Sequence, residues 1–175
     1  ALAETALEAQ DWFGAMAASR TMIHLAPRHH LAREILATAL LQDGQIEEAE
    51  LVMRELLQIS PRDPLHRLRL ATLLQLQGRL GESLIEFRRV LEAYPDMPLV
   101  QEANEAIEAL DRMQTQQILM RASEQTVFRL AIERNLDETL EEFGFVLSEN
   151  GYEALRQIVW DGHFEEDDFS PIVFH

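Results

Sequence analysis

Apolar positions along the chain recur three and four residues apart, the spacing of amphipathic helices, and the recurrence itself repeats. Pro27, Pro61 and Pro95 stand 34 residues apart. Each follows an apolar stretch that a proline would stop, because its ring clashes with the preceding turn and it has no N–H to donate. Gly44 and Gly78 keep the same spacing. Laid on that period, residues 30–63 and 64–97 agree column by column: Leu36 with Leu70, Ala37 with Ala71, Leu40 with Leu74, Ala49 with Ser83, Met53 with Phe87 and Leu56 with Val90. Small and large apolar residues alternate at helical spacing, and the glycine falls where a turn between two helices needs one. Each period therefore predicts a helical hairpin. A lone hairpin cannot cover its apolar face, so the hairpins must stack.

Residues 1–29 follow the phase less closely. Leu2, Ala3 and Ala6 fit a first helix and Ala15 fits the small position of a second, but Ser19 stands where a large apolar residue is expected and Gln10 replaces the glycine. On this phase the first hairpin would begin before Ala1, so its first helix is expected to be truncated, with further chain upstream.

The arrangement resembles the tetratricopeptide repeat: a small residue early in helix A, a small residue in helix B with a large apolar one four later, and a closing proline. The resemblance implies an all-α fold, a solenoid of helical hairpins wound as a right-handed superhelix with a C-terminal helical cap. Three repeats are expected at 1–97 (a truncated one at 1–29, then 30–63 and 64–97). It also implies a scaffold or adaptor whose A helices line a concave groove for a protein or peptide. The family's groove positions fall on Leu31, Glu34, Thr38, Leu41 and Gln42, then Leu65, Leu68, Thr72, Gln75 and Leu76. Relatives that clamp a chaperone's C-terminal carboxylate use Lys and Asn where Leu65 and Ile35 stand here, and Arg69 alone fits that pattern. The expected ligand is thus an apolar segment, anchored by the leucines, with Arg67 and Arg69 near a carboxylate. Self-association, or occupancy by the protein's own C-terminal part, is the alternative.

Residues 98–134 read as a capping helix or helices, with Leu99, Ala103, Ala106, Leu110 and Met113 on one face and Glu102, Glu105, Glu108, Asp111 and Arg112 on the other. Pattern alone leaves open a break near residues 114–117. From Phe128 the text changes: a short helix ending at Gly144, an extended 145–147, then a helix capped by Ser148 and closed near Trp160. Phe128, Arg129, Leu140, Glu142, Phe143, Gly144, Phe145, Leu147, Ser148, Ala154 and Leu155 are similar to leader-peptide-like modules of ribosomal peptide clusters and to the small helical subunit of extradiol dioxygenases. Leu136 departs from both families, which place proline there. That likeness, over residues 128–155, implies an accessory role in a peptide-modifying or ring-opening system; the alternative is a plain helical cap that uses Gly144 as a C-cap, and 135–162 is expected as a small helical module. Residues 163–175 join four acids, Glu165 to Asp168, to an apolar end, which suits a docking peptide or a segment packed on its own helices.

Composition narrows the function. A formal net charge of −16 opposes nucleic acid, whose binding needs a basic face to release counterions, and equally an anionic membrane. The imbalance sits mostly in residues 98–175, at −12 against −4 for 1–97. All fifteen positive side chains are Arg, and there is no Cys, which removes disulfides, thiolate metal sites and cysteine nucleophiles. His24, His29 and His30 cluster near a helix end, where imidazoles can satisfy terminal carbonyls. His163 near Glu165 and Glu166 is a weak divalent-ion candidate. Glu47, Glu48 and Glu50 read as exposed, as do Glu141 and Glu142, and shifted carboxylates for acid–base work would need burial. With no phosphate loop and no nucleophile–base spacing, the expectation is a cytoplasmic binding protein without catalytic residues, cofactor or metal. A secretion-type chaperone is an alternative of the same fold.

Overall fold

The computed structural model describes residues 2–95 and 97–161, and every regular element among them is an α-helix. Contacts divide the chain after Pro95 into two units. The first holds three hairpins: α1 (Leu2–Glu8) with α2 (Trp12–Leu25), α3 (His30–Gln42) with α4 (Ile46–Ile59), and α5 (Pro64–Leu76) with α6 (Leu80–Ala93). Each helix packs on the next in sequence, as a stack of helical hairpins requires.

The 34-residue columns become the core. Ala15, Ala49 and Ser83 are all completely buried, so a side chain of any size there would push neighbouring helices apart. The Ser83 hydroxyl satisfies itself on the carbonyl oxygen of Ala71 at 2.8 Å. Ile35, Leu36, Leu40, Val52, Met53, Leu56, Leu70 and Leu74 share one continuous cluster with Ala15 and Ala49. Ser19 is buried too, and its hydroxyl has no partner, which makes the first hairpin the least well matched to the repeat.

The turns inside the hairpins share one geometry. Gly44 has φ +81° and Gly78 φ +73°. Around Gly44, its own N–H donates to Leu41 O at 3.1 Å and the Gln45 N–H reaches Leu40 O at 2.8 Å. Gly78 and Arg79 repeat this on Gln75 and Leu74. These paired bonds satisfy the last carbonyls of helix A and demand a left-handed residue at the pivot. Gln10, in the same column, adopts φ 58° although it is not glycine. Between hairpins, Asp63 accepts from the N–H groups of Leu65 and His66 ahead of Pro64 at the first helical position. His29 does the same for α3 through Nδ1 and the Ala32 N–H at 3.2 Å. This imidazole therefore accepts at a helix start, not, as expected, donating to terminal carbonyls.

The second unit contains α7 (Leu99–Glu124), α8 (Thr126–Arg134), α9 (Leu136–Glu142) and α10 (Glu149–Asp161). The helix α7 runs unbroken through 114–117. The short helix expected to end at Gly144 is α9, and it is divided from α8 at Asn135, whose side chain accepts from the Glu138 N–H. Residues 98–134 and 135–162, expected as separate pieces, build one core: Ile118, Leu119 and Ala122 of α7 cluster with Phe128, Ile132, Leu140 and Leu155. Phe143 meets Phe128 edge-on at 4.9 Å, and the Arg121 guanidinium covers both rings.

Two expectations about α7 fail. Met113 is exposed, while Asp111, expected on the solvated face, is 1% exposed. Asp111 is turned inward by a demand that hydrophobic periodicity cannot show. Its carboxylate accepts from the Ser148 N–H at 2.8 Å and from the Ser148 hydroxyl. That hydroxyl oxygen accepts in turn from the Gly151 N–H at 3.1 Å, capping α10. One turn on, Gln114 pairs with the backbone of Val146 in both directions, at 2.7 and 2.9 Å. Val146 thus has both its backbone polar groups met by a side chain in place of a neighbouring strand, while the Phe145 N–H donates to Leu140 O at 2.9 Å. Gly151 has to lack a side chain, since a Cβ would lie 2.4 Å from the Asp111 carboxyl carbon. The acidic tail lies outside the described residues.

Candidate protein-binding groove

On helices α3 and α5 the buried positions of each hairpin core leave one stripe facing outward. Leu31, Leu65 and Leu76 are large apolar residues on that stripe, exposed by 43%, 38% and 56%. Gln42 and Thr72 are exposed beside them, and Glu34, Thr38, Leu41, Arg69 and Gln75 are half-buried. Leu41 leans on the core cluster.

Leu68 does not belong with these residues: at 3% exposure it is closed to a partner. The helix α5 carries leucine at 65, 68, 70, 73, 74 and 76. With apolar residues almost all round, periodicity could not tell which leucine faced solvent.

Polar side chains tie the stripe together. The buried His66 imidazole puts Nε2 2.9 Å from the Glu34 carboxylate, linking α5 to α3 at the floor of the stripe. Its Nδ1 has no hydrogen-bond partner. The Thr38 and Thr72 hydroxyls donate back to the carbonyls of Glu34 and Leu68 in their own helices, at 2.9 and 3.1 Å. What these threonines then present outward is methyl surface. Arg69 makes no ion pair among the described residues, whereas Arg67, expected beside it, is turned toward helix α6, where it bonds Glu86 at 2.7 Å. The stripe can therefore offer leucine and threonine methyl contacts, two amides, and a single uncommitted guanidinium.

The B helices α4 and α6, with the turn before α6, carry an electrostatic seam that sequence reading passed over. Glu50, expected exposed, is 7% exposed. Its carboxylate receives Arg54 at 2.7 Å, Arg79 at 2.9 Å and Gln77 at 2.8 Å. Burial on its own would raise the pKa of Glu50, but these three donors more than offset it and hold the carboxyl below the ordinary range. Arg79 also bonds Glu82 at 2.5 Å, which lowers the pKa of Glu82 and raises that of Arg79. A legible signal existed: Arg20, Arg54 and Arg88 share one 34-residue column and Glu48 and Glu82 another. The pairs Arg20–Glu48 at 2.6 Å and Arg54–Glu82 at 3.7 Å are successive rungs.

Among the described residues no three His, Cys, Asp or Glu side chains gather as metal ligands. His163, Glu165 and Glu166 lie outside them. No described helix is long and apolar enough to cross a membrane.

Residues 40–107 match the family model described as tetratricopeptide repeat. The tetratricopeptide repeat domain of Arabidopsis OM64 superposes with a TM-score of 0.53 at 20% identity, covering 60% of this chain and 87% of that one. A structure of Naa15/Naa10 bound to HypK-THB aligns at 16% identity over 97% of this chain and 24% of that one, with a TM-score of 0.43, too loose to bear on the fold. Among curated proteins none matches. The shared period and the buried small-residue columns agree with that match, so residues 40–107 are similar to tetratricopeptide repeats in sequence and the hairpin stack has their fold.

Proposed function

We propose that the chain is a protein-interaction scaffold whose A-helix stripe holds an apolar, extended or helical segment of a partner protein. The observation that carries this is the combination of exposed Leu31, Leu65 and Leu76 with the unpaired Arg69 on consecutive A helices. Leucines left in water on a surface otherwise rich in charge favour a partner that covers them. Arg69 adds direction, because a guanidinium that meets a carboxylate in a water-poor groove rewards one orientation of the bound segment over the other. We read the protein as cytoplasmic and without enzymatic activity; secretion-type chaperones and accessory proteins of modifying enzymes would use the same stripe and differ in what they hold.

A photo-crosslinking amino acid placed at Thr72 or Leu76 should trap a partner, and the same group at Leu51 should not. Leu51 serves as the control because it is exposed on helix B, away from the stripe. Changing Leu65 and Leu76 together to Glu should abolish the crosslink while leaving the melting temperature near that of the parent, as both positions are exposed. Equal crosslinking from positions 72 and 51 would refute the groove reading.

A further inference from the structure

Most arginines of the first unit are held by glutamates, but three of them gather where there is little acid to meet them. Arg20, Arg33, Arg54 and Arg79 each hold a glutamate at 2.9 Å or less. At the end of the third hairpin the balance changes. Arg67 and Arg89 both draw on a single carboxylate, Glu86, at 2.7 and 2.5 Å, and Arg62 has no side-chain partner at all among the described residues. These three arginines line one cleft of about 520 Å³, with Glu92 as the only acid in its wall and Tyr94 closing one side. Glu92 forms no ion pair with any of them.

We infer that this cleft is a second binding site, distinct from the A-helix stripe, for a short acidic peptide segment presenting two neighbouring carboxylates. Its walls are already set. Arg67 is held between Glu86 and the Pro61 carbonyl, the latter at 3.2 Å, and the Tyr94 hydroxyl donates to the Arg62 carbonyl, pinning the turn between α4 and α5. Arg67 and Arg89 are thus held in place before a ligand arrives, Arg62 is left free to close on it, and planar guanidinium forks match carboxylates two bonds at a time. The volume lies in the range of a small-ligand pocket, room for a few residues and not for a folded surface. The charge of the surrounding chain selects further: at −16 overall, an extended polyanion such as nucleic acid is repelled along most of its length, while two carboxylates confined to the cleft are not. This inference does not depend on the groove reading.

The test uses the full chain and a fluorescein-labelled peptide, Ser-Glu-Glu-Asp-Ser, followed by anisotropy at low and at raised salt. Saturable, salt-weakened binding is expected. Changing Arg62 and Arg89 together to Ala should weaken it by about tenfold or more, and Arg62→Gln alone, which breaks no bond within the fold, should weaken it in the same direction. Glu92→Gln should tighten binding, an outcome that a merely structural cleft would not produce. The Leu65 and Leu76 to Glu variant should bind the peptide as the parent does. Absence of saturable binding, indifference to Arg62→Gln, or displacement of the peptide by inorganic phosphate at equal concentration would overturn the inference, the last by showing a general anion site.

Discussion

The two units are held by opposite kinds of interaction. In the repeat unit, the joints between helices are apolar and periodic: Ala15, Ala49 and Ser83 admit close approach, and their large partners, Met53 and Phe87 among them, fill the space left. Charge is gathered into ion-paired clusters such as the seam around the buried Glu50. In the second unit the decisive joint is polar and buried. Asp111 and Gln114 reach from α7 to the backbone of residues 146–148 and to the start of α10. An apolar joint degrades in proportion to misfit, while a buried polar joint fails all at once, because each lost partner leaves a desolvated group unpaired.

The sharpest way to expose that difference is to remove one polar group. Asp111→Ala should destabilise the second unit by about 3 kcal/mol, since it strips two charge-assisted hydrogen bonds from Ser148. Hydrogen exchange should speed up at the Ser148 and Gly151 amides and leave α3 and α4 protected. Gly151→Ala should damage the same place by a different route, forcing a Cβ against the Asp111 carboxyl. Because the two changes share one contact, the double variant should lose less than the sum of the singles. Additive losses would mean that the carboxylate and the glycine are not coupled.

The matching test in the repeat unit is Ala49→Leu. A leucine at a completely buried position must separate α4 from its neighbours, and should cost about 2 kcal/mol in chemical denaturation through overpacking. A change within about 0.5 kcal/mol would mean that the small-residue column is not a helix contact.

The seam offers a smaller effect with a pH signature. The pKa of Glu50 is lower in the fold than its ordinary value of 4.5. Its contribution is thus fully present above that value and is lost as pH falls through the folded pKa. Glu50→Gln should cost about 1 kcal/mol near neutrality, and the gap between parent and variant should narrow as the pH is lowered below the ordinary carboxylate range. Glu82, more exposed, adds to the same trend but is screened by solvent. A gap that stays constant down to acid would place the loss in packing instead.

How far the sequence foretold these features follows from the same contrast. Stacked hairpins, their turns at Gly44 and Gly78, and the inward columns were legible because a period of 34 and apolar spacing record burial directly. The leucines Leu31, Leu65 and Leu76 are exposed as the repeat phase expects, but α5 carries leucine almost all round, and periodicity could not separate Leu68 from its exposed neighbours. Asp111 and Glu50 were both assigned to solvent, since an acidic residue on a charged helix looks the same whether it faces water or a hydrogen-bond donor far along the chain. Serine 148 was readable as a cap, being local. Its carboxylate partner, 37 residues earlier, was not.

The smallest expected effect concerns the pivot at which the first hairpin departs from the repeat. Gln10 holds φ 58°. Its N–H donates to Leu7 O at 3.0 Å, and the Asp11 N–H donates to Ala6 O at 2.9 Å, the same pair of bonds that Gly44 and Gly78 support. A side chain in this left-handed conformation brings its Cβ close to the following carbonyl, at a cost of about 1 to 2 kcal/mol that glycine escapes. Glycine in turn makes the unfolded chain more flexible, which returns part of that difference. Gln10→Gly should therefore stabilise the protein by about 0.5 kcal/mol, seen as a rise in melting temperature. The reverse change, Gly44→Gln, should destabilise the second hairpin through the same steric term, although no atom lies within 4 Å of where its Cβ would sit. If Gln10→Gly lowers the melting temperature, the Gln10 side chain makes a stabilising contact outweighing its backbone strain, and the first turn is not equivalent to the others.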